Sequence, residues 1–297
     1  SYVTTIRGYS DVHDIQFGDM TGISGTTTQG EDGYIFLGSK TRVLAGGNED
    51  NVDVYYLQDT ATVTSPAQLD VLTALGHQNA DHTLRLDGQA GTDTFNVYTL
   101  GSNGPDQRNY IINVLDTGLQ DDGVDELFIH GNETEDDIFL LRGSAFIPSE
   151  NADRPGYVAL VHGDEDTYRD TLQGNEPFAE VQRIGYDTGI NGRMTVLGKG
   201  GDDAFFTDDT TVITTLDGGE GDDTFQIGQI FGLKRTEVDG NLLPQDAFPN
   251  VIATTRGVLS AGTNSPLLAQ GGSGNDTITD YSIQSEQRHE GGANTDT

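Results

Sequence analysis

The sequence predicts an all-β fold, a parallel β-solenoid of the β-helix or β-roll kind, and three observations predict it. A short glycine-aspartate motif returns along the chain, the residues after it alternate in polarity, and helical periodicity of useful length is nearly absent. The clearest copy reads Gly218-Gly-Glu-Gly-Asp-Asp-Thr-Phe225. Others read Gly198-Lys-Gly-Gly-Asp-Asp-Ala-Phe205, Gly271-Gly-Ser-Gly-Asn-Asp-Thr-Ile278 and Gly88-Gln-Ala-Gly-Thr-Asp-Thr-Phe95. Gly291 to Thr297 begin a further copy, with Asp296 in the aspartate's place.

Each motif is a turn followed by a short strand. Segments such as Thr214-Thr-Leu216 and Asp223-Thr-Phe-Gln-Ile227 are β-prone, alternate in polarity and are bounded by glycine. Two residues after the motif aspartate stand Tyr55, Phe95, Leu127, Phe139, Phe205, Phe225 and Ile278; two further on stand Leu57, Val97, Ile129, Leu141 and Ile227. A period of two places both rows on one face, so strands running turn-to-strand in one sense should stack about 4.8 Å apart over a shared core. The intervals Asp203 to Asp223 and Asp276 to Asp296 are both twenty residues, which predicts one circuit per interval. Elsewhere the aspartates lie 32, 40, 53 or 66 residues apart, so loops or motif-free coils must intervene. The expected organisation is one elongated array over 1–297, a segment of a longer chain, with irregular insertions at 142–183 and 228–268. The eight prolines all fall outside the motifs, where loops belong.

Composition narrows the function classes. With 297 residues, 48 acidic against 15 basic and a net charge of −33, the chain repels nucleic acid and itself unless cations neutralise it. Cysteine is absent, so disulfides and thiolate metal sites are excluded and oxygen ligands remain. No apolar run reaches the length of a transmembrane helix.

Calcium takes about six to eight oxygen ligands and tolerates irregular geometry, which a glycine-rich turn with inward carbonyls and an exit aspartate can supply. Gly218 to Gln226 resembles the nonapeptide Gly-Gly-x-Gly-x-Asp-x-U-x of RTX (repeats-in-toxin) proteins, and Gly271 to Thr279 matches equally well. Lys199 and Gln89 replace the second glycine in two other copies. The resemblance implies a Ca²⁺-filled parallel β-roll or β-helix in a secreted, largely bacterial protein, including giant adhesins and surface-layer proteins. The family's β-roll typically repeats every eighteen residues or so, so the longer intervals here imply a broader solenoid with fewer ions. The metal-ligating candidates are Gly198, Gly200, Gly201 and Asp203; Gly218, Gly219, Gly221 and Asp223; Gly271, Gly272, Gly274 and Asp276; and Gly88, Gly91 and Asp93. Degenerate copies add Asp53, Asp125, Asp137 and Asp296, and the sharpest expectation is that Asp203 and Asp223 face one another around a shared ion.

Other patterns carry less. Asp121-Asp122, Asp136-Asp137 and Asp208-Asp209 are paired carboxylates, but neighbours on a strand point to opposite faces, and no catalytic centre is expected. His77 and His82 have no zinc spacing, and Tyr55, Tyr56, Tyr98 and Tyr281 read as cross-strand or core residues ahead of a sugar platform. The expected function is a calcium-stabilised extracellular structural or adhesive segment of a large secreted surface protein, self-assembling into a layer or filament. The alternatives are an accessory module of a secreted enzyme, such as a polysaccharide-modifying enzyme or lipase, and a carbohydrate-binding adhesin domain. The partners in view are calcium ions, copies of the chain or neighbouring repeats, and surface glycans.

Overall fold

The computed structural model describes residues 4–7, 14–18, 41–47, 49–55, 83–102, 111–119, 122–142, 156–161, 181–230, 252–254, 257–259, 262–281 and 283–297. Among them there is no helix. The N-terminal strands are β1 (Thr4–Arg7), β2 (Asp14–Gly18), β3 (Thr41–Gly47), β4 (Asn51–Tyr55), β5 (Thr83–Ala90), β6 (Thr94–Tyr98), β7 (Ile111–Leu115) and β8 (Glu126–His130). Next come β9 (Ile138–Arg142), β10 (Gly156–Val161), β11 (Val181–Tyr186), β12 (Arg193–Gly200), β13 (Ala204–Thr207), β14 (Thr214–Glu220) and β15 (Thr224–Ile227). The last are β16 (Gln229–Ile230), β17 (Ile252–Thr254), β18 (Gly257–Leu259), β19 (Leu267–Ser273), β20 (Thr277–Asp280) and β21 (Gln287–Ala293).

These strands form two mostly parallel sheets. A ten-stranded sheet A runs β1-β3-β5-β7-β11-β10-β9-β13-β15-β20, and an eight-stranded sheet B runs β2-β4-β6-β8-β12-β14-β19-β21. The exception to parallel pairing within them is β10, antiparallel to both β9 and β11. The two stretches read as irregular therefore carry strands of their own. Within 142–183 lies β10, and within 228–268 lies a three-stranded antiparallel sheet ordered β16-β18-β17.

Between β3 and β8 the tight turn leads from sheet A into sheet B, whereas from β8 onward it leads from sheet B into sheet A. Because sheet B is parallel throughout, the first set of turns caps the N-terminal ends of its strands and the second set caps the C-terminal ends. Strands β6, β8 and β12 are flanked by both sets of corners, β6 through Ser102 and β12 through Asn191. The same motif thus serves two opposite corners.

Rows of apolar side chains fill the space between the sheets, in the register that parallel pairing imposes. Val52, Phe95, Leu127 and Met194 form one row and Val54, Val97, Ile129, Val196, Leu216 and Ala269 the next, all buried. In sheet A, Phe139 stacks on Phe205 at 5.1 Å and Phe205 on Phe225 at 4.8 Å, the spacing that neighbouring strands dictate. Tyr55 departs from the expected inward row. It is in register with Tyr98 and His130 on the opposite face of sheet B, while Val52 and Val54 point inward. Leu57 lies outside the described residues.

Phe205 sits with a ring above and below it and no exposed surface, so Phe205→Ala should cost about 3–5 kcal/mol in urea unfolding. Leu119→Ser, at a side chain 78% exposed, should change stability by less than about 0.5 kcal/mol. A small effect at Phe205 would contradict the stacked core.

Candidate metal centre

The unit around Asp223 shows how the motif builds its turn. A Cβ on Gly218 would overlap Asp223 Oδ2 and lie 2.8 Å from the Gly271 carbonyl oxygen, so no side chain fits there. Gly219 takes a φ of 103°, which L side chains avoid. Lys199 and Gln89, which stand at that place in two other copies, adopt the same turn with φ of 79° and 77°. The backbone path therefore survives the loss of glycine, with strain. Lys199 recovers part of this through a 2.7 Å ion pair with Glu133.

Successive motif aspartates are joined amide to carboxylate. At the N-terminal ends of sheet B, Asp50 N–H donates to Asp93 Oδ1 (3.0 Å), Asp93 N–H to Asp125 Oδ1 (2.9 Å) and Asp125 N–H to Asn191 Oδ1 (2.9 Å). At the C-terminal ends, Ser102 N–H donates to Asp137 Oδ1 (2.6 Å), Asp137 N–H to Asp203 (2.7 Å), Asp203 N–H to Asp223 (2.8 Å), Asp223 N–H to Asp276 (2.9 Å) and Asp276 N–H to Asp296 (3.2 Å). Each step is one strand spacing, although the chain between the partners runs from 20 to 66 residues. A second, exposed ladder runs beside the latter with its donors reversed. Asp202 N–H donates to Asp136 Oδ1, Asp222 N–H to Asp202 Oδ1 and Asn275 N–H to Asp222 Oδ1.

The other carboxylate oxygen of each inner aspartate has a different fate. Asp93, Asp203, Asp223 and Asp276 are at most 1% exposed, and their Oδ2 atoms meet no hydrogen-bond donor among the described residues. Each points instead at the first glycine of its own turn, and for Asp203, Asp223 and Asp276 a carbonyl of the next unit lies beside that glycine. A Cβ on Gly198 would overlap Asp203 Oδ2 and lie 2.7 Å from Gly218 O, and one on Gly271 would overlap Asp276 Oδ2 and Gly291 O. Asp137 differs, because its Oδ2 accepts the Asn132 N–H at 2.7 Å. Asp203 and Asp223 are thus linked backbone to side chain, and each Oδ2 shares its cradle with a carbonyl rather than with the other carboxylate.

Buried carboxylates stacked this way resist ionisation. Burial pushes Asp203 up to about 8, against the pull of the Asp137 amide and with help from the charges of Asp137 and Asp223. Asp93 and Asp223 rise to about 7, again chiefly by burial, and Asp276 moves the same way. A proton or a cation relieves each of them. Among the described residues no three His, Asp or Glu side chains converge to hold a metal ion, so a cation here would draw much of its coordination from backbone carbonyls. That donor set suits Ca²⁺, which accepts mixed carbonyl and carboxylate oxygens, better than Mg²⁺ with its demand for near-ideal octahedral geometry.

The structure brings together Asp93, Asp125, Asp137, Asp203, Asp223, Asp276 and Asp296 with their turn glycines, including Gly88 and Gly291. Gly200, Gly201, Gly221 and Gly274 pack against backbone carbonyls of the adjoining unit, as Gly219 and Gly272 do. Gly91 presents its own carbonyl to Gly123 in the following unit. Asp53 is a correction. The register pairs Asn51 with Thr94 and Asp53 with Asn96, so Asp50 occupies the corner while Asp53 lies within β4, bonded by Asn96 and Tyr55. The cause is that the Gly46–Asp53 stretch has lost its fourth-position glycine, leaving four aspartate or asparagine side chains, Asn48, Asp50, Asn51 and Asp53, from which to choose. Asp50, Asn191 and Ser102 were missed, the last two because a neutral side chain carries no motif signal. Asp209 is structural, accepting bonds from Thr210 and Asn264.

Tyr98 stacks between Tyr55 (4.7 Å) and His130 (4.2 Å), so both faces of its ring are occupied. Tyr281 lies apart, just past β20. His77, His82, Tyr56 and Asp121 lie outside the described residues. Among those described, no helix is long and apolar enough to cross a membrane. Compared with family models, curated proteins and solved structures, the chain matches none of them.

Two predictions follow from the turn chemistry. A carboxyl whose folded pKa is raised stabilises the fold fully below its unfolded value near 3.8 and loses that contribution as pH climbs through 7 to 8. In EDTA, the melting temperature should therefore fall between pH 5 and pH 8, and Asp203→Asn should flatten that slope; a melting temperature that rises with pH would contradict it. Gln89→Gly, which relieves a left-handed backbone, should raise stability by about 0.5–1 kcal/mol in denaturant titration.

Proposed function

We propose that this chain is a calcium-stabilised parallel β-solenoid serving as a non-catalytic structural or adhesive segment of a secreted surface protein. The observation that carries the reading is the set of buried Oδ2 atoms on Asp93, Asp203, Asp223 and Asp276, which meet no donor among the described residues; three of the four, on Asp203, Asp223 and Asp276, form a row beside carbonyls of the next units. In these residues Ca²⁺ would find a charged oxygen from one unit and a neutral oxygen from its neighbour, and would tie the two together. Asp203 with the Gly218 carbonyl, Asp223 with the Gly271 carbonyl and Asp276 with the Gly291 carbonyl are the pairs that would hold it. The repeat resemblance to RTX proteins agrees with that chemistry.

Several features favour a stabilising rather than a catalytic role. Each inner carboxylate already spends Oδ1 on a backbone amide, and its Oδ2 lies buried in the turn where a substrate would not reach it. A charge of −33 makes the chain dependent on cations, which extracellular fluid supplies at concentrations suited to weak sites. With free Ca²⁺ about tenfold above Kd, each independent site adds about 1.4 kcal/mol, so three or four approach the lower end of a domain's whole stability. The partners consistent with this role are copies of the chain, neighbouring repeats or surface glycans.

Chelation tests the reading. Circular dichroism should show a weaker β-signal and a lower melting temperature in EDTA, both recovered on adding Ca²⁺ but not equimolar Mg²⁺. An unchanged spectrum and melting temperature after thorough calcium removal would sink it.

A further inference from the structure

The unit between β7 and β8 carries a carboxylate where the motif has its first glycine. Pairing of β5 with β7 sets Asp87 opposite Leu115, so the next residue along, Asp116, stands where its neighbour has Gly88, the first motif glycine. The turn from there to Asp125 is four residues longer than the turn from Gly88 to Asp93, which hides the match in the sequence. At Gly88 a Cβ would overlap Asp93 Oδ2. In the next unit a whole carboxylate stands at that place, one ladder step on, where the matching aspartate is Asp125.

Two carboxylates placed side by side and shielded from water favour a shared proton or cation. Asp125 has no exposed surface, and its Oδ2 meets no donor among the described residues. Asp116 Oδ1 accepts the Gly118 N–H at 2.9 Å. The surrounding acids are held by backbone through one oxygen each: Asp87 by Thr117, Asp122 by Leu119, and Asp187 by Gly189. Asp187 also accepts from the Asp116 amide at 3.4 Å, which anchors the backbone on which Asp116 sits. Asn191, which follows Asp125 in the ladder, is neutral, so the negative charge ends at this point.

We propose that Asp116 and Asp125 clasp a divalent, oxygen-preferring cation at a two-carboxylate site, different in kind from the one-carboxylate glycine cradles and tighter than they are. Affinity for Ca²⁺ rises with the number of charged ligands, and this corner offers two where the other turns offer one. The site lies where the first ladder ends and the second has begun. The proposal rests on the calcium reading for the choice of cation, and what it adds is Asp116 as a second carboxylate beside Asp125.

The test is calorimetric titration of CaCl₂ into the decalcified chain, its Asp116→Gly variant and its Asp116→Asn variant. Both variants should lose the tightest class of sites or weaken it by at least about tenfold, the low end of what loss of even an outer-shell partner costs. Both should also melt at a higher temperature than the parent in EDTA, because a neighbouring like charge has been removed; a residue that merely supports the fold would lower stability with and without the ion. Isotherms identical to the parent's would overturn this site and leave the glycine cradles standing, whereas a parent that binds no Ca²⁺ would overturn both. Should either variant fail to fold, anomalous diffraction from terbium-soaked parent crystals decides: a peak between Asp116 and Asp125 supports the site, and none there overturns it.

Discussion

Among the described residues the motif corners hang on one recurring hydrogen bond, from the backbone N–H of one motif aspartate to the Oδ1 of the next. Asp203 to Asp223 at 2.8 Å is representative. The bond closes the corner, because the donor sits at the exit of its turn where no strand partner serves it. It also sets register. The Thr224 N–H donates back to the Asp203 carbonyl at 2.8 Å, so two bonds pin each corner and the strands beyond follow in step. Long insertions do not weaken this, since Asp137 and Asp203 are 66 positions apart and their bond is 2.7 Å.

The same bond creates the electrostatic problem that gives the protein its chemistry. Holding Oδ1 on the backbone turns Oδ2 inward, against glycines that have no side chain to meet it. A row of such oxygens one strand spacing apart raises the cost of charge on each, and burial raises it further. The aromatic stack of Phe139, Phe205 and Phe225 lies just beyond, so water cannot relieve the row from the core side. Protons or hard cations can. The fold and the calcium dependence proposed for it thus have a common origin in the geometry of one side chain.

Much of this was legible in residue spacing. The corners at Asp93, Asp203, Asp223 and Asp276 were readable because glycines at fixed offsets and an apolar residue two positions on leave few other conformations. Where glycines were lost the reading slipped: three residues separate Asp53 from the true corner at Asp50, and an odd shift exchanges the two faces of a strand, which moved Tyr55 from outer face to core. Asn191 and Ser102 continue the ladders without charge, so nothing in composition marked them. Asp116 was masked by four extra residues in its turn.

Residue order and composition settled the strand character, the one-sided apolar rows and the positions of most corners, since these depend on backbone φ preferences and a period of two that act over a few residues. The stacking partners, the antiparallel intrusion of β10 and the change of corner at β8 came from the assembled sheets. The reason is that a glycine-aspartate turn looks the same whether it enters sheet B or leaves it. Which end of a strand it caps depends on contacts between residues tens of positions apart, and those are formed by packing rather than by local preference.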